Sequence, residues 1–301
     1  MAGLINKFLV SASLAAGMTA MVAAPVLAQN FRIEGEDHIL YDARDTTGDR
    51  LVDQTYENSS ANIDDILRRL DGTPGGNIEL FSSSHINDAT YRYRVGRQWH
   101  EWKYNSSFYG GVRTSLIGEV NGKTLTISSL NSSDWFGSDG TTAYGNDDLA
   151  NRWFGQLLDN YQPDLGRIGR QTAFNTFLGM YGFERASDPN ISYIESDRNG
   201  IEIGLAGHMD LGNVYGDWFA GWQASEVLRY EYDGVVDYLW SFSATATGLT
   251  EYTDGTSHNG LYKVFIPTGD VPSVPEPSTM LGLMAVGGLF AASSRKSRKN
   301  S

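Results

Sequence analysis

Four dipeptides that tolerate positive φ, set beside alternating stretches, constrain the fold of this chain more than any other feature. Asn121-Gly122 lies between TSLIGEV and KTLTISSL, Asn199-Gly200 between ISYIES and IEIGLA, Asp233-Gly234 between EVLRYEY and VVDYLWSFSA, and Asn259-Gly260 precedes LYKVFI. Such dipeptides suit the two-residue turns whose twist matches that of paired strands, so each predicts a β-hairpin. After the second turn, Ile201, Ile203 and Leu205 alternate with Glu202, Gly204 and Ala206, the period of a strand with one buried side. After the third turn the stretch is apolar on both faces, with Trp240 and Phe242 opposite Leu239, which predicts a central strand.

Helical periodicity is rarer. Ala150, Trp153, Phe154, Leu157, Leu158 and Tyr161 recur every three or four residues, with Asn146 or Asp147 as the cap and Pro163 as the stop. A second helix is expected from near Thr172, burying Phe174, Phe177, Leu178 and Tyr181. A third spans about Ala61 to Leu70 and ends at the Gly-rich turn Asp71 to Gly76. The expected class is therefore α+β: a mainly antiparallel, hairpin-rich, sandwich-like sheet structure with two or three short helices. It occupies 29–266, with a seam near 131–146 if there are two domains. The chain has no cysteine, which excludes disulfides, thiolate metal sites and cysteine nucleophiles and leaves stability to packing.

The two ends read differently from the body. Lys7, the apolar stretch Phe8 to Ala24 and Val26-Leu27-Ala28 form a secretory signal over 1–28, with cleavage between Ala28 and Gln29. The other end begins with the Pro-rich linker 267–277, an extended tether. It contains Pro275, Glu276 and Pro277, and is followed by an apolar segment over 278–294 and by the tail 295–301. The fifteen residues from Ser278 to Ala292 would rise roughly 22 Å as a helix against a hydrocarbon core of about 30 Å, so Ser293, Ser294 and snorkelling cations complete the crossing. Arg295, Lys296, Arg298 and Lys299 hold that terminus in the cytoplasm. Prolines before the span leave an extended backbone at the outer interface, the conformation a protease needs.

The triplet, short span and basic finish together resemble the PEP-CTERM sorting signal of Gram-negative bacteria. The resemblance implies an exported precursor held transiently in the inner membrane by its tail, processed by an exosortase-type membrane protease and passed to the cell surface or outside. The body from Gln29 to about Asp270 resembles exported cyanobacterial proteins that carry such tails, through SDPNISYI at 187–194, IGLAGH at 203–208, QASEV at 223–227 and DGTSHNG at 254–260. That likeness implies no activity.

Charge excludes one class of partner. The chain carries 23 Lys plus Arg against 36 Asp plus Glu, and without its ends it keeps 18 basic residues against 35 acidic ones. Phosphate neutralisation is disfavoured, so nucleic acid is not an expected partner. No Gly-rich phosphate loop is present, and Gly255 to Gly260 lacks the spacing of a nucleophile elbow. No cofactor is implied and no catalytic residue stands out. Asp42, Asp45, Asp49 and Asp53 surround Gly48 in an oxygen-rich loop that suits calcium, without the twelve-residue spacing of the usual site. His208 with Asp210 and His85 with Asp88 are weak metal pairs. Trp99, His100, Glu101, Trp102 and Tyr104 fit either a half-buried edge strand or a platform for sugar rings. Two readings follow. One is a non-catalytic surface or extracellular-matrix protein, with extracellular polysaccharide as a partner. The other is an exported hydrolase of glycans or esters, with a calcium-dependent adhesin behind both.

Overall fold

The computed structural model describes residues 26–27, 29–35, 37–44, 53–68, 74–82, 89–95, 98–104, 108, 113–166, 169–197 and 199–268. Two antiparallel-rich sheets dominate them. The larger runs β14 (Ala244–Ala246), β16 (Gly260–Pro267), β11 (Gly200–Gly207), β10 (Asn190–Ser196), β5 (Gly76–Leu80), β3 (His38–Arg44), β4 (Gln54–Glu57) and β15 (Thr250–Glu251), with β1 (Val26–Leu27) also on β10. The smaller runs β13 (Val235–Leu239), β12 (Leu228–Tyr232), β9 (Lys123–Ser128), β8 (Ser115–Val120) and β2 (Gln29–Glu34). Only the pair β15 and β4 is parallel among the described residues. A separate hairpin joins β6 (Ala89–Val95) to β7 (Gln98–Tyr104).

Alternation along the strands builds the sandwich. Leu116, Val120, Leu125, Ile127, Leu228 and Tyr230 of the smaller sheet share one buried cluster with Leu40, Ile78, Leu80, Ile191, Ile203 and Val264 of the larger. The expected Ile201, Ile203 and Leu205 face is fully buried. Gly204 is required between them, because a Cβ there would sit 2.1 Å from the Tyr193 ring.

Two of the four turns are the expected ones. Asn121 (φ 54°) and Gly122 (φ 73°) join β8 to β9, and Asp233 (φ 53°) and Gly234 (φ 77°) join β12 to β13. β10 and β11 do form a hairpin, but Gly200 is already the first residue of β11, so the turn lies before it. Asn259-Gly260 closes no tight hairpin: it ends a long loop after β15, and β16 pairs with β14 and β11. The central strand predicted after Asp233-Gly234 is an edge strand, with Val235 and Val236 exposed. Its apolar continuation, Trp240 and Phe242, leaves the sheet to pack on a helix, so apolarity on two faces reflected two different partners.

Six α-helices and one 3-10 turn (Asp217–Phe219) lie among the described residues, more than the two or three helices expected. The expected ones are α1 (Ile63–Ile66), α3 (Leu149–Tyr161) and α4 (Gly169–Gly179). The additional α2 (Ser132–Phe136), α5 (Gly182–Arg185) and α6 (Gly212–Tyr215) are four or five residues long, too short to show a helical stripe. Tyr181, expected on α4, lies beyond it at positive φ. Trp135, Trp153, Phe154, Phe174, Phe177 and Phe183 form a second, aromatic core, with Phe177 and Phe183 ring centroids 5.0 Å apart. Within 131–146, Asn131 and Asp134 make a capping box on α2, and Asp134 binds Arg113 at 2.8 Å and the Tyr238 hydroxyl at 2.9 Å.

The cap of α3 is Asp148, one residue past the expected position, and its carboxylate accepts from Asn151 N at 2.8 Å. Asp148→Ala is expected to cost about 1 kcal/mol, the usual worth of such a cap, read as a fall in melting temperature with an unchanged circular dichroism spectrum. No helix among the described residues is long and apolar enough to cross a membrane. The expected span 278–294 and residues 1–25 lie outside them.

Candidate functional site

Strand register puts the polar groups of the larger sheet on the face turned away from the sandwich core. Ile78 and Leu80 enter the core, so Glu79 points to the other side, beside Asn190 of β10. Tyr41 shares that face from β3, and its hydroxyl donates to Glu79 Oε2 at 3.2 Å. Strand ends and loops supply the rest: Gly207 at the end of β11 with His208 after it, Glu226 just before β12, Glu251 at the end of β15, and Thr253, Asp254, Ser257 and His258 between β15 and β16. Together they line a cavity of about 210 Å³. Gly207, His208 and Glu226 also border a second cavity of about 70 Å³ on the aromatic-core side, with Trp153, Arg185 and Tyr215.

The loop is held by its own carboxylates. Glu251 Oε2 accepts from the Thr253 and Asp254 backbone N–H groups at 2.8 and 2.9 Å and from the Thr253 hydroxyl. Asp254 Oδ1 accepts from Thr256 N and Ser257 N at 2.8 and 2.9 Å. Ser257 Oγ donates to Asp254 Oδ2 and lies 3.3 Å from His208 Nε2. His258, at φ 63°, sits 2.7 Å through Nδ1 from Thr55 Oγ1 and meets the Tyr41 ring edge-on at 4.6 Å.

Burial decides the charge of these groups. It lifts Glu79 to about 8, helped by the nearby Asp188 carboxyl, and raises Glu226 well above the usual carboxylate range, helped by Glu79 and Asp188. Asp188, beside the cavity and bonded by Ser82, is lifted by burial to about 7. Burial likewise lowers His208 and brings His258 down to about 4. Burial also pushes Asp254 upward, but the hydrogen bonds from Ser257 and Thr256 outweigh it and leave the carboxyl below its ordinary value. At neutral pH the site therefore presents the carboxylic acid of Glu79 near the neutral imidazole of His258, groups able both to donate and to accept protons.

The serine does not complete a nucleophilic triad. Asp254 binds Ser257 and not the histidine, and His208 Nδ1 is buried without a hydrogen-bond partner. The chemistry within reach is acid–base work by the carboxyls.

The pairs weighed in the sequence separate here. His208 reaches the cavity, whereas Asp210 turns back to accept from Gly212 N and Gly221 N at 2.7 and 2.8 Å. Asp42 accepts from Ala43 N, Tyr56 and Asn58, while Asp45 and Asp49 lie outside the described residues and Asp53 stands at the start of β4. His85 and Asp88 also lie outside them. No group of three His, Asp or Glu side chains placed to hold a metal occurs among the described residues. Trp99, His100, Glu101, Trp102 and Tyr104 all fall on β7, whose register sets Trp102 opposite Tyr91 and His100 opposite Tyr93. Glu79, Glu226, Glu251, Asn190 and Tyr41 escaped sequence reasoning because they come from five separate segments with no common spacing. A signal existed nonetheless: SDPNISYI, IGLAGH, QASEV and DGTSHNG each contribute a lining residue.

No curated protein and no solved structure matches the chain. The PEP-CTERM protein-sorting motif matches residues 273–299, covering Pro275, Glu276 and Pro277 and the basic residues Arg295, Lys296, Arg298 and Lys299. The motif implies export with a C-terminal membrane-anchor sorting signal, and processing by an exosortase, which is a membrane protease. Five residues after the last described one, Thr268, the chain thus enters a sorting signal, and the protein carries a PEP-CTERM protein-sorting motif at its C-terminal end.

Proposed function

We propose that the protein is exported, held in the inner membrane by 278–294, cut near Pro275 to Pro277 by an exosortase-type protease, and delivered to the cell surface or matrix as the 29–266 domain. The matched sorting motif directly behind a β-rich domain carries this reading. Cleavage after Ala28 would leave β2, which begins at Gln29, intact, and would remove only the two-residue β1 from the edge of β10. The basic tail keeps the far end cytoplasmic until processing. Extracellular polysaccharide is the proposed surface partner.

Fractionation tests the routing. The intact chain is expected in the membrane and surface fractions with Gln29 as its first residue, and a chain ending before Pro275 in the soluble exported fraction. Identical distributions, or full-length protein in the cytosol with residues 1–28 attached, would overturn it. A second reading, hydrolysis of a glycan, is favoured by the convergence of Glu79, Glu226 and Glu251 on one cavity. It predicts release of reducing ends from polysaccharide, abolished by Glu79→Ala. The calcium-adhesin reading at Asp42, Asp45, Asp49 and Asp53 predicts calorimetric heat on calcium titration; no heat at about millimolar calcium would end it.

A further inference from the structure

Carboxylates buried together are commonly paired with cations of the protein, yet among the described residues neither Lys nor Arg lines the 210 Å³ cavity. The cluster is instead accompanied by two buried atoms without a partner, Glu226 Oε2 and His208 Nδ1, both on lining residues. A fold normally satisfies such atoms, and these two differ from the orphaned donor of Trp153 in belonging to residues on the wall shared by the two cavities, where a bound molecule can complete the bonding. The charges and hydrogen-bonding needs of the lining restrict what that molecule is. Among the described residues, an anion would meet Asp254 and Glu251 with no countercharge, and a metal ion would find no set of three ligands. A buried carboxylic acid has an O–H to donate, while a neutral imidazole has one nitrogen to donate and one to accept. Among small polar groups, the hydroxyl answers both needs. The Tyr41 and His258 rings, packed edge to face, offer an apolar surface next to these polar groups.

We propose that this cavity binds a neutral, hydroxyl-rich ligand of the monosaccharide class, held through Glu226 and His208. The site is independent of the sorting route, since it lies wholly within the described domain. Glu226 accepts from the Asn190 backbone N–H with one oxygen and offers the other to a ligand hydroxyl. His208 offers Nδ1, while its Nε2 stays near Ser257.

The test is thermal denaturation of exported protein, purified from cells expressing the full chain, with D-glucose, D-galactose, D-xylose or N-acetyl-D-glucosamine, and with methylammonium chloride, calcium chloride and sodium acetate as charged controls. At least one sugar is expected to raise the melting temperature by about 5–10 °C at a hundredfold excess over its Kd. Glu226→Gln keeps one acceptor and one donor and is expected to bind within about threefold of wild type, whereas Glu226→Met loses about tenfold or more. His208→Leu removes the other unpaired atom and is expected to weaken the same sugar similarly, so the outcome does not hang on one variant folding. Affinity is also expected to fall above about pH 8, where Glu79 surrenders its proton. The proposal fails if no sugar shifts the melt, if the shift survives undiminished in both Glu226→Met and His208→Leu, or if only the charged compounds stabilise the protein.

Discussion

Trp153→Ala is expected to lower the stability of the domain by about 4 kcal/mol, the usual cost of emptying a buried aromatic site. Trp153 is 1% exposed and packs against Trp135, Phe177, Phe183 and Phe242, with ring centroids 5.6 to 6.1 Å apart. These neighbours come from α2, α4, α5 and the segment after β13, so no single element can move in to fill the void. Its indole Nε1–H, however, has no hydrogen-bond partner. Trp153→Phe removes that orphaned donor together with part of the ring, so the two changes oppose each other and the net loss is expected to stay under about 1.5 kcal/mol. Chemical denaturation of the pair decides the matter: equal losses for Phe and Ala would show that aromatic packing is not what the site contributes.

Glu79→Gln is expected to stabilise the protein, and to do so only away from acid. Burial holds the folded-state carboxyl near pH 8, above its ordinary value of 4.5. Where the folded pKa is the higher one, the group's contribution is intact below about 4.5 and declines as pH rises through 8, because the unfolded chain releases its proton first. Glu79 keeps part of its surface toward the cavity, so its charge is partly solvated. The full shift is discounted accordingly, leaving a gain of about 2 kcal/mol, or roughly 4–8 °C in melting temperature, at pH 8.5. At pH 4 the variant and wild type are expected to melt together. The glutamine still accepts from the Tyr41 hydroxyl. A variant less stable than wild type at pH 8.5 would mean that Glu79 is ionised in the fold and bound by a cation, contrary to the neutral site described above.

Local chemistry explains which parts of this architecture were readable in advance. Asn121-Gly122 and Asp233-Gly234 announced their hairpins because a type of turn is decided by two residues able to adopt positive φ. Helix α3 was readable because thirteen residues show several repeats of the stripe, whereas α5 and α6, at four residues each, show barely one. Misreadings arose where a neighbour distant in sequence decided. Trp240 and Phe242 looked like strand core and are partners of α3, Trp240 donating to Gln156 at 3.2 Å. Asn259-Gly260 looked like a turn and instead closes a loop across which Thr247 N bonds Asn259 O.

The amino-acid order alone carries the sorting motif at 273–299, since a Pro-Glu-Pro triplet, an apolar run and a basic finish are legible from composition and order without any tertiary contact. It determined equally the antiparallel class and the faces of the strands, which follow from alternation and turn geometry. The cavity was decided only in three dimensions. Glu79 and Glu226 lie about 150 residues apart in the chain, and Glu79 raises Glu226 because β5 sets Glu79 beside Asn190 of β10, whose backbone N–H bonds Glu226. Whether a carboxyl is a charged solubiliser or a neutral hydrogen-bond donor depends on the solvent it loses on folding, and that loss is a property of the packed structure.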